Sequence, residues 1–159
     1  MAARRVRLFP ILVGVALVLF VVATKYRDFN SSARVGRARL AALSAQQIVS
    51  IRLEPTKYKP AITAPIDVTD RESIAALAAA LSHLDEHEPN HPHALKAVIV
   101  RIRFKDREIG GLLQLTSNDG TTFYYMSEIE KGWVFGTYLV PHGEALFDQI
   151  AGLAAQAKR

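Results

Sequence analysis

Cysteine is absent from the 159-residue sequence. Its absence excludes disulfide bonds, zinc sites with cysteine ligands, thiol catalysis and attachment of a lipid to an N-terminal cysteine. Motifs of other catalytic classes are missing as well. There is no Gly-x-Ser-x-Gly nucleophile turn, no His-Glu-x-x-His helix and no phosphate-binding glycine loop. The sequence therefore predicts a protein that is not an enzyme.

The globular part of the chain also lacks an excess of basic residues, although the sequence pI is near 9.7. Residues 1–39 contain eight Arg and Lys residues against one acidic residue, Asp28, which gives a net charge of +7. Residues 40–159 contain twelve basic and fourteen acidic residues, which gives a net charge of −2. Nucleic-acid affinity requires a basic surface that displaces counterions from phosphate. We therefore expect no nucleic-acid partner.

The long apolar run of the chain, at 8–23, reads LFPILVGVALVLFVVA and carries no charge. Basic residues flank it on both sides, Arg4, Arg5 and Arg7 before it and Lys25 and Arg27 after it. A helix over 8–24 would be about 25 Å long, close to the ~30 Å of a hydrocarbon core, and the flanking side chains would reach the headgroups. We interpret the run as a transmembrane anchor in a lipid bilayer.

A cleaved signal peptide is the alternative interpretation of this run. The run slightly exceeds the roughly 7–15 apolar residues of a signal core. The segment 23–26 (ATKY) makes a poor cleavage site, and the small residues of 31–33 (SSA) lie far downstream. An uncleaved anchor is therefore favoured.

A short basic N-terminal tail usually stays in the cytoplasm, so we expect the C-terminal domain in the periplasm.

Composition divides the chain into four parts. A basic tail occupies 1–7, a transmembrane signal-anchor helix 8–24, a juxtamembrane linker or helix 25–47, and a soluble domain 48–159. The segment 28–32 (DFNSS) consists largely of residues that favour turns and caps, and it predicts a break in the chain shortly after the anchor.

Apolar periodicity within 48–159 predicts both strands and helices. Apolar residues in strand-like runs predict strands at 48–54, 66–68, 97–105, 109–116, 121–127 and 133–139. Helical spacing predicts two amphipathic helices, at 70–84 and 143–154, the first with a capping box of Thr69 and Glu72. Short connections require the last four strands to be antiparallel neighbours. The expected fold is α+β, with a transmembrane helix before a small antiparallel sheet that carries two helices on one face.

A histidine-rich segment follows the first of these helices. It contains four of the five histidines of the chain: His83, His87, His91 and His93. Three carboxylates lie among them, those of Asp85, Glu86 and Glu88. Imidazoles with a carboxylate are typical ligands of zinc or copper, so one hypothesis is a metal site. The alternatives are a solvated loop and a pH-responsive segment, because imidazoles titrate near neutral pH.

Tyrosine and arginine side chains suggest a contact surface on the sheet. Arg101 and Arg103 lie in one predicted strand, and Tyr124 and Tyr138 lie in two others. Both residue types are enriched at protein interfaces. We therefore predict that these four residues bind a partner protein.

The arrangement of a short basic tail, one anchor and a small α+β domain resembles that of bacterial envelope proteins. From the anchor and the predicted contact surface we expect a single-pass inner-membrane protein whose domain binds another envelope protein and requires no cofactor. An immunity-type inhibitor of a toxin or hydrolase is a second hypothesis. A metal-binding or pH-sensing domain is the third.

Overall fold

The computed structural model describes residues 5–87, 93–116, 120–128 and 133–157. Within these ranges the chain forms three helices and one seven-stranded antiparallel sheet, which confirms the predicted α+β fold. In chain order the elements are α1 (Arg5–Ala41), β1 (Ser50–Pro55), β2 (Ile66–Val68), α2 (Arg71–Ser82), β3 (Asp85–Glu86), β4 (Ala94–Arg103), β5 (Glu108–Thr116), β6 (Thr122–Glu128), β7 (Trp133–Leu139) and α3 (Gly143–Gln156).

Helix α1 is one uninterrupted helix of 37 residues, about 55 Å long. It includes the apolar run, and from Pro10 onward it is long and apolar enough to cross a membrane. The helix also continues through 28–32, so the predicted break there is wrong. The preference of these residues for turns is weak. It is outweighed by the packing of the next helical segment, in which Ala33 and Leu40 are buried.

The sheet has the strand order β2-β1-β4-β5-β6-β7-β3. Strands β4 to β7 form the predicted meander, and the β1–β2 pair extends it beside β4. Strand β3 was not predicted. It has two residues, Asp85 and Glu86, which pair with Leu139 and Tyr138 at the edge of the sheet. Two exposed acidic residues carry no apolar alternation, so a sequence pattern gives no signal for this strand.

One face of the sheet, called the inner face here, is covered by the three helices. Register places Leu113, Tyr124 and Tyr138 side by side on this face, and all three are fully buried. Helix α2 adds its own apolar stripe to the same core: Ile74, Leu77, Ala78 and Leu81. Helix α3 begins against Thr122, whose side chain fills the space next to Gly143. The opposite face, called the outer face, carries no helix within the described residues.

The N-cap of α2 is Asp70, one residue later than the predicted capping box. Its carboxylate accepts a hydrogen bond of 2.8 Å from the Ser73 backbone N–H. Hydrogen bonds from the backbone and side chain of Ser73 lower the pKa of Asp70. Thr69 therefore precedes the cap, and Asp70 supplies the stronger acceptor for the free N–H groups of the first turn.

Candidate functional site

The C-terminal part of α1 packs on β7 through small residues. Ala33, Gly36 and Leu40 lie three and four residues apart on one side of the helix, and all three are buried. Gly136 of β7 faces them. A Cβ atom built on Gly136 would lie 3.1 Å from the Cβ of Ala33, which is tighter than ordinary van der Waals contact. The absence of side-chain atoms at this position therefore lets the helix and the strand approach closely.

Two polar contacts join α1 to the sheet at the same junction. The Tyr138 hydroxyl donates a hydrogen bond of 2.7 Å to the Ala33 carbonyl, and Arg37 forms an exposed ion pair of 3.0 Å with Asp85 of β3. Burial and the nearby charge of Glu86 raise the pKa of Tyr138 to about 12. The phenol is therefore protonated and able to donate at any physiological pH. The C-terminal part of α1 and the sheet thus pack together at this junction.

The outer face carries a row of ion pairs across four neighbouring strands, which we call the charge ladder. Its members are Asp67, Arg52, Glu54, Arg101, Glu108 and Arg103. Glu54 accepts hydrogen bonds from Arg52 at 2.9 Å and from Arg101 at 3.0 Å. Three basic and three acidic side chains alternate, so the ladder has no net charge and each arginine has a carboxylate partner.

Glu54 is the central acceptor of the charge ladder. Partial burial favours its neutral form, but hydrogen bonds from Arg101 and Arg52 outweigh this effect and lower the pKa of Glu54. The pKa of Arg101 is raised, because hydrogen bonds to Glu54 and Glu108 outweigh the cost of its partial burial. Both groups are charged at neutral pH, and the ladder is a fixed polar surface.

Partly exposed apolar side chains lie next to the charge ladder on the outer face. Register aligns Ile99 of β4, Leu112 of β5 and Tyr125 of β6 as direct neighbours, and we call these three residues the apolar row. Beyond the row, the ring of Phe123 stacks on His87 with centroids 5.4 Å apart. An apolar centre beside a polar margin is the usual composition of a protein-binding surface.

The structure separates the four predicted partner-binding residues onto two faces. Arg101 and Arg103 lie on the outer face, with side chains 27% and 59% exposed. Tyr124 and Tyr138 lie on the inner face and are 0% exposed. The prediction that these two tyrosines contact a partner is therefore wrong, because the helices cover them. The apolar row was not predicted from the sequence. Its residues are apolar and alternate along β4, β5 and β6 with the residues that face the core, so the pattern that would have predicted it was present.

The predicted histidine site is not assembled within the described residues. Helix α2 ends at Ser82, so His83 and His87 do not share a helical face. Nδ1 of His83 lies 2.7 Å from the Ser82 hydroxyl, His87 stacks on Phe123, and His91 lies outside the described residues. No three His, Asp or Glu side chains in the described ranges are grouped closely enough to hold a metal ion. Zinc or copper binding stays a prediction that depends on His91 and His93.

Comparisons with known proteins identify no relative. No model of a protein family, no curated protein sequence and no solved structure matches this chain.

Proposed function

We propose that the protein is a single-pass inner-membrane protein whose C-terminal domain lies in the periplasm and binds another envelope protein through the outer face of its sheet. The observation that carries this proposal is the position of the helices. The three described helices all pack on the inner face, and no helix in the described part of the chain covers the apolar row of Ile99, Leu112 and Tyr125. The continuous α1 supports the membrane part of the proposal.

Within the described residues, the apolar half of α1 is not buried against the rest of the protein. Leu12 is 63% exposed and Phe20 is 69% exposed, although both are large apolar side chains. A contiguous apolar surface of this size is stable in water only when something covers it. A lipid bilayer covers such a helix on every side, which favours a membrane-spanning anchor.

Packing of Ala33 favours an anchor that stays attached. Cleavage after the small residues of 31–33 would remove Ala33, which is 5% exposed and accepts the hydrogen bond from Tyr138. It would also cut α1 inside its packed segment. An intact α1 keeps the junction with β7 and holds the domain at the membrane surface.

In this proposal, attachment to the membrane promotes binding to partners in the same membrane. The anchor restricts the domain to a thin layer beside the bilayer, which raises its effective concentration toward membrane-bound partners. The packed junction between α1 and β7 also limits rotation of the outer face relative to the membrane. Less orientational freedom is then lost when a partner binds.

Site-specific photo-crosslinking in native membranes tests the proposed surface. A photoreactive residue at Leu112 is expected to crosslink one membrane or periplasmic protein, and Leu112→Glu is expected to abolish co-purification of that protein. Tyr58, a loop residue that is 84% exposed, provides the control position and the control substitution Tyr58→Glu. Equal crosslinking from both positions, or loss of the partner in both variants, would contradict a specific outer-face interface.

Labelling of single cysteines tests the orientation, because the natural chain has none. A cysteine at Tyr58 is expected to react with a membrane-impermeant maleimide in intact spheroplasts. A cysteine at Ala2, in the N-terminal tail, is expected to react only after permeabilisation. The reverse pattern would place the domain in the cytoplasm.

A further inference from the structure

A polar groove of about 510 Å³ lies at the start of β1, apart from the apolar row. The turn between β4 and β5 forms one wall, and the first residue of α2 forms another. Its volume is within the range of pockets that hold small molecules. Three of the side chains that line it are basic, those of Arg71, Lys105 and Arg107.

Two of these basic groups are held in place by uncharged partners. Nη1 of Arg71 donates to the backbone carbonyls of Ala45 at 3.2 Å and Ile48 at 2.9 Å. The guanidinium of Arg107 lies over the ring of Phe104, 4.8 Å from its centroid. Carbonyl and ring partners orient these cations and leave their positive charge without a balancing negative charge.

The groove differs in this respect from the charge ladder. Each ladder arginine pairs with a carboxylate, whereas Arg71, Lys105 and Arg107 form no salt bridge with any residue that the structure describes. The acidic side chain among the lining residues is that of Asp106, so the lining has a net charge of +2. Like charges brought together in a concave site repel one another, and a bound anion removes that repulsion.

We infer that this groove binds a phosphate monoester. A dianion matches the net charge of the lining, and the planar guanidinium groups of Arg71 and Arg107 suit the geometry of phosphate oxygens. The volume leaves room for an organic group beyond the phosphate. A soluble phosphate ester and the headgroup of phosphatidic acid share this chemistry. The inference is independent of the partner protein proposed for the outer face.

Calorimetric titration of the full chain in phosphatidylcholine nanodiscs with glycerol 3-phosphate tests the site. We expect saturable one-to-one binding with a Kd below about 1 mM, and no binding of glycerol. Lys105→Gln combined with Arg107→Gln is expected to weaken binding at least about fivefold, the effect of losing surface contacts with an anion. Lys57→Gln combined with Lys96→Gln makes the same change in net charge at exposed positions outside the groove and is expected to leave the Kd unchanged.

Lys105→Gln alone separates loss of binding from loss of folding, because it leaves the contact between Arg107 and Phe104 intact. It is expected to weaken binding about threefold or more without changing the Tm. If the natural chain shows no saturable binding in phosphatidylcholine nanodiscs, the inference is overturned. An equal loss of affinity in the Lys57/Lys96 control would overturn it too, because general charge attraction would then explain the binding.

Nanodiscs of two lipid compositions distinguish a soluble phosphate ester from a lipid headgroup as the natural ligand. When the nanodiscs contain phosphatidic acid, a site that serves a lipid headgroup is occupied, and glycerol 3-phosphate no longer binds. A site that serves a soluble ester binds glycerol 3-phosphate with the same Kd in both kinds of nanodisc. Either result supports a phosphate-monoester site and identifies where its ligand comes from.

Discussion

The hydroxyl of Tyr138 donates a hydrogen bond of 2.7 Å to the carbonyl of Ala33, 105 residues earlier in the chain. This contact joins β7, the last strand of the meander, to α1. Ala33 lies ten residues after Ala23, the last residue of the apolar run, which corresponds to about 15 Å along a helix. The sheet is therefore attached to α1 within about 15 Å of the end of the apolar run.

Tyr138→Phe removes this hydrogen bond without changing the volume of the buried ring. We expect the free energy of unfolding to fall by about 1 kcal/mol at pH 8, the usual net effect of one hydrogen bond. Urea unfolding followed by circular dichroism in detergent measures this change. An unchanged unfolding free energy would show that the contact contributes nothing to the junction.

Alkaline pH provides a second test of the same residue. Burial raises the pKa of Tyr138 to about 12 from the ordinary value of 10.0, so the folded chain holds the phenol proton more tightly than the unfolded chain. The resulting stabilisation is complete below pH 10 and is lost as the pH rises toward 12. The natural chain is expected to lose more stability than Tyr138→Phe between pH 10 and 12. Parallel losses in the two proteins would contradict the raised pKa.

Gly136→Val is expected to separate α1 from β7. A Cβ on Gly136 would lie 3.2 Å from the Ala33 Cα and 2.9 Å from the Tyr138 hydroxyl, and its φ of +154° is rare for residues with side chains. Overpacking and backbone strain together should cost about 2 kcal/mol or more. A fall in the Tm of the purified protein measures this cost.

Gly152→Ala is the matched control for this substitution. Gly152 lies in α3, and apart from its chain neighbours and the local helix backbone no atom of the described residues lies within 4 Å of the position that a Cβ would occupy there, so an added methyl group meets no packed neighbour. The substitution should raise stability by up to about 1 kcal/mol, because alanine favours helix over glycine. Destabilisation by both substitutions would show that the effect at Gly136 is not specific to the junction.

Glu54→Gln should destabilise the sheet in a pH-dependent way. Hydrogen bonds from Arg101 and Arg52 lower the pKa of Glu54, so its contribution to stability is present above its ordinary pKa and is lost as the pH falls. We expect a loss of about 1 kcal/mol at pH 7 and a smaller difference from the natural chain at pH 3. Urea unfolding at the two pH values measures both quantities.

Asp148→Asn makes the same change in charge at an exposed residue of α3. It is expected to change the free energy of unfolding by less than about 0.5 kcal/mol at either pH. If Glu54→Gln also has no effect at pH 7, the charge ladder does not stabilise the fold.

The continuity of α1 predicts a narrow distance distribution across 28–32. Spin labels on cysteines introduced at Lys25 and Ala38 are separated by thirteen residues, or about 20 Å between Cα atoms in a helix. Both side chains are exposed and accept a label without disturbing the core. A broad distribution extending well beyond 20 Å would show that the chain is flexible between the anchor and the domain.

Local patterns in the sequence account for much of this fold. The alternation in β1 and in β4 to β7 is a property of neighbouring residues, so these strands were predicted close to their observed bounds. The contiguous apolar run predicted a helix over 8–24, whereas α1 extends over Arg5–Ala41, because its C-terminal part packs on β7. The cap of α2 was displaced by one residue because Thr69 and Asp70 are both good caps. Strand β3 gave no local signal, since only its pairing with β7 makes it a strand.

Contacts between distant residues decided the rest. The alternation in β6 and β7 showed that neighbouring aromatic residues point to opposite faces, but only the packing of the helices placed Tyr124 and Tyr138 inside and Tyr125 outside. Likewise, 28–32 is helical because Ala33, Gly36 and Leu40 pack beyond it. Periodicity and hydrophobicity depend on adjacent residues and can be read from the chain. Burial and strand pairing depend on which distant elements come into contact. The free energy of those contacts exists only in the folded chain, so neighbouring residues in the sequence do not reveal it.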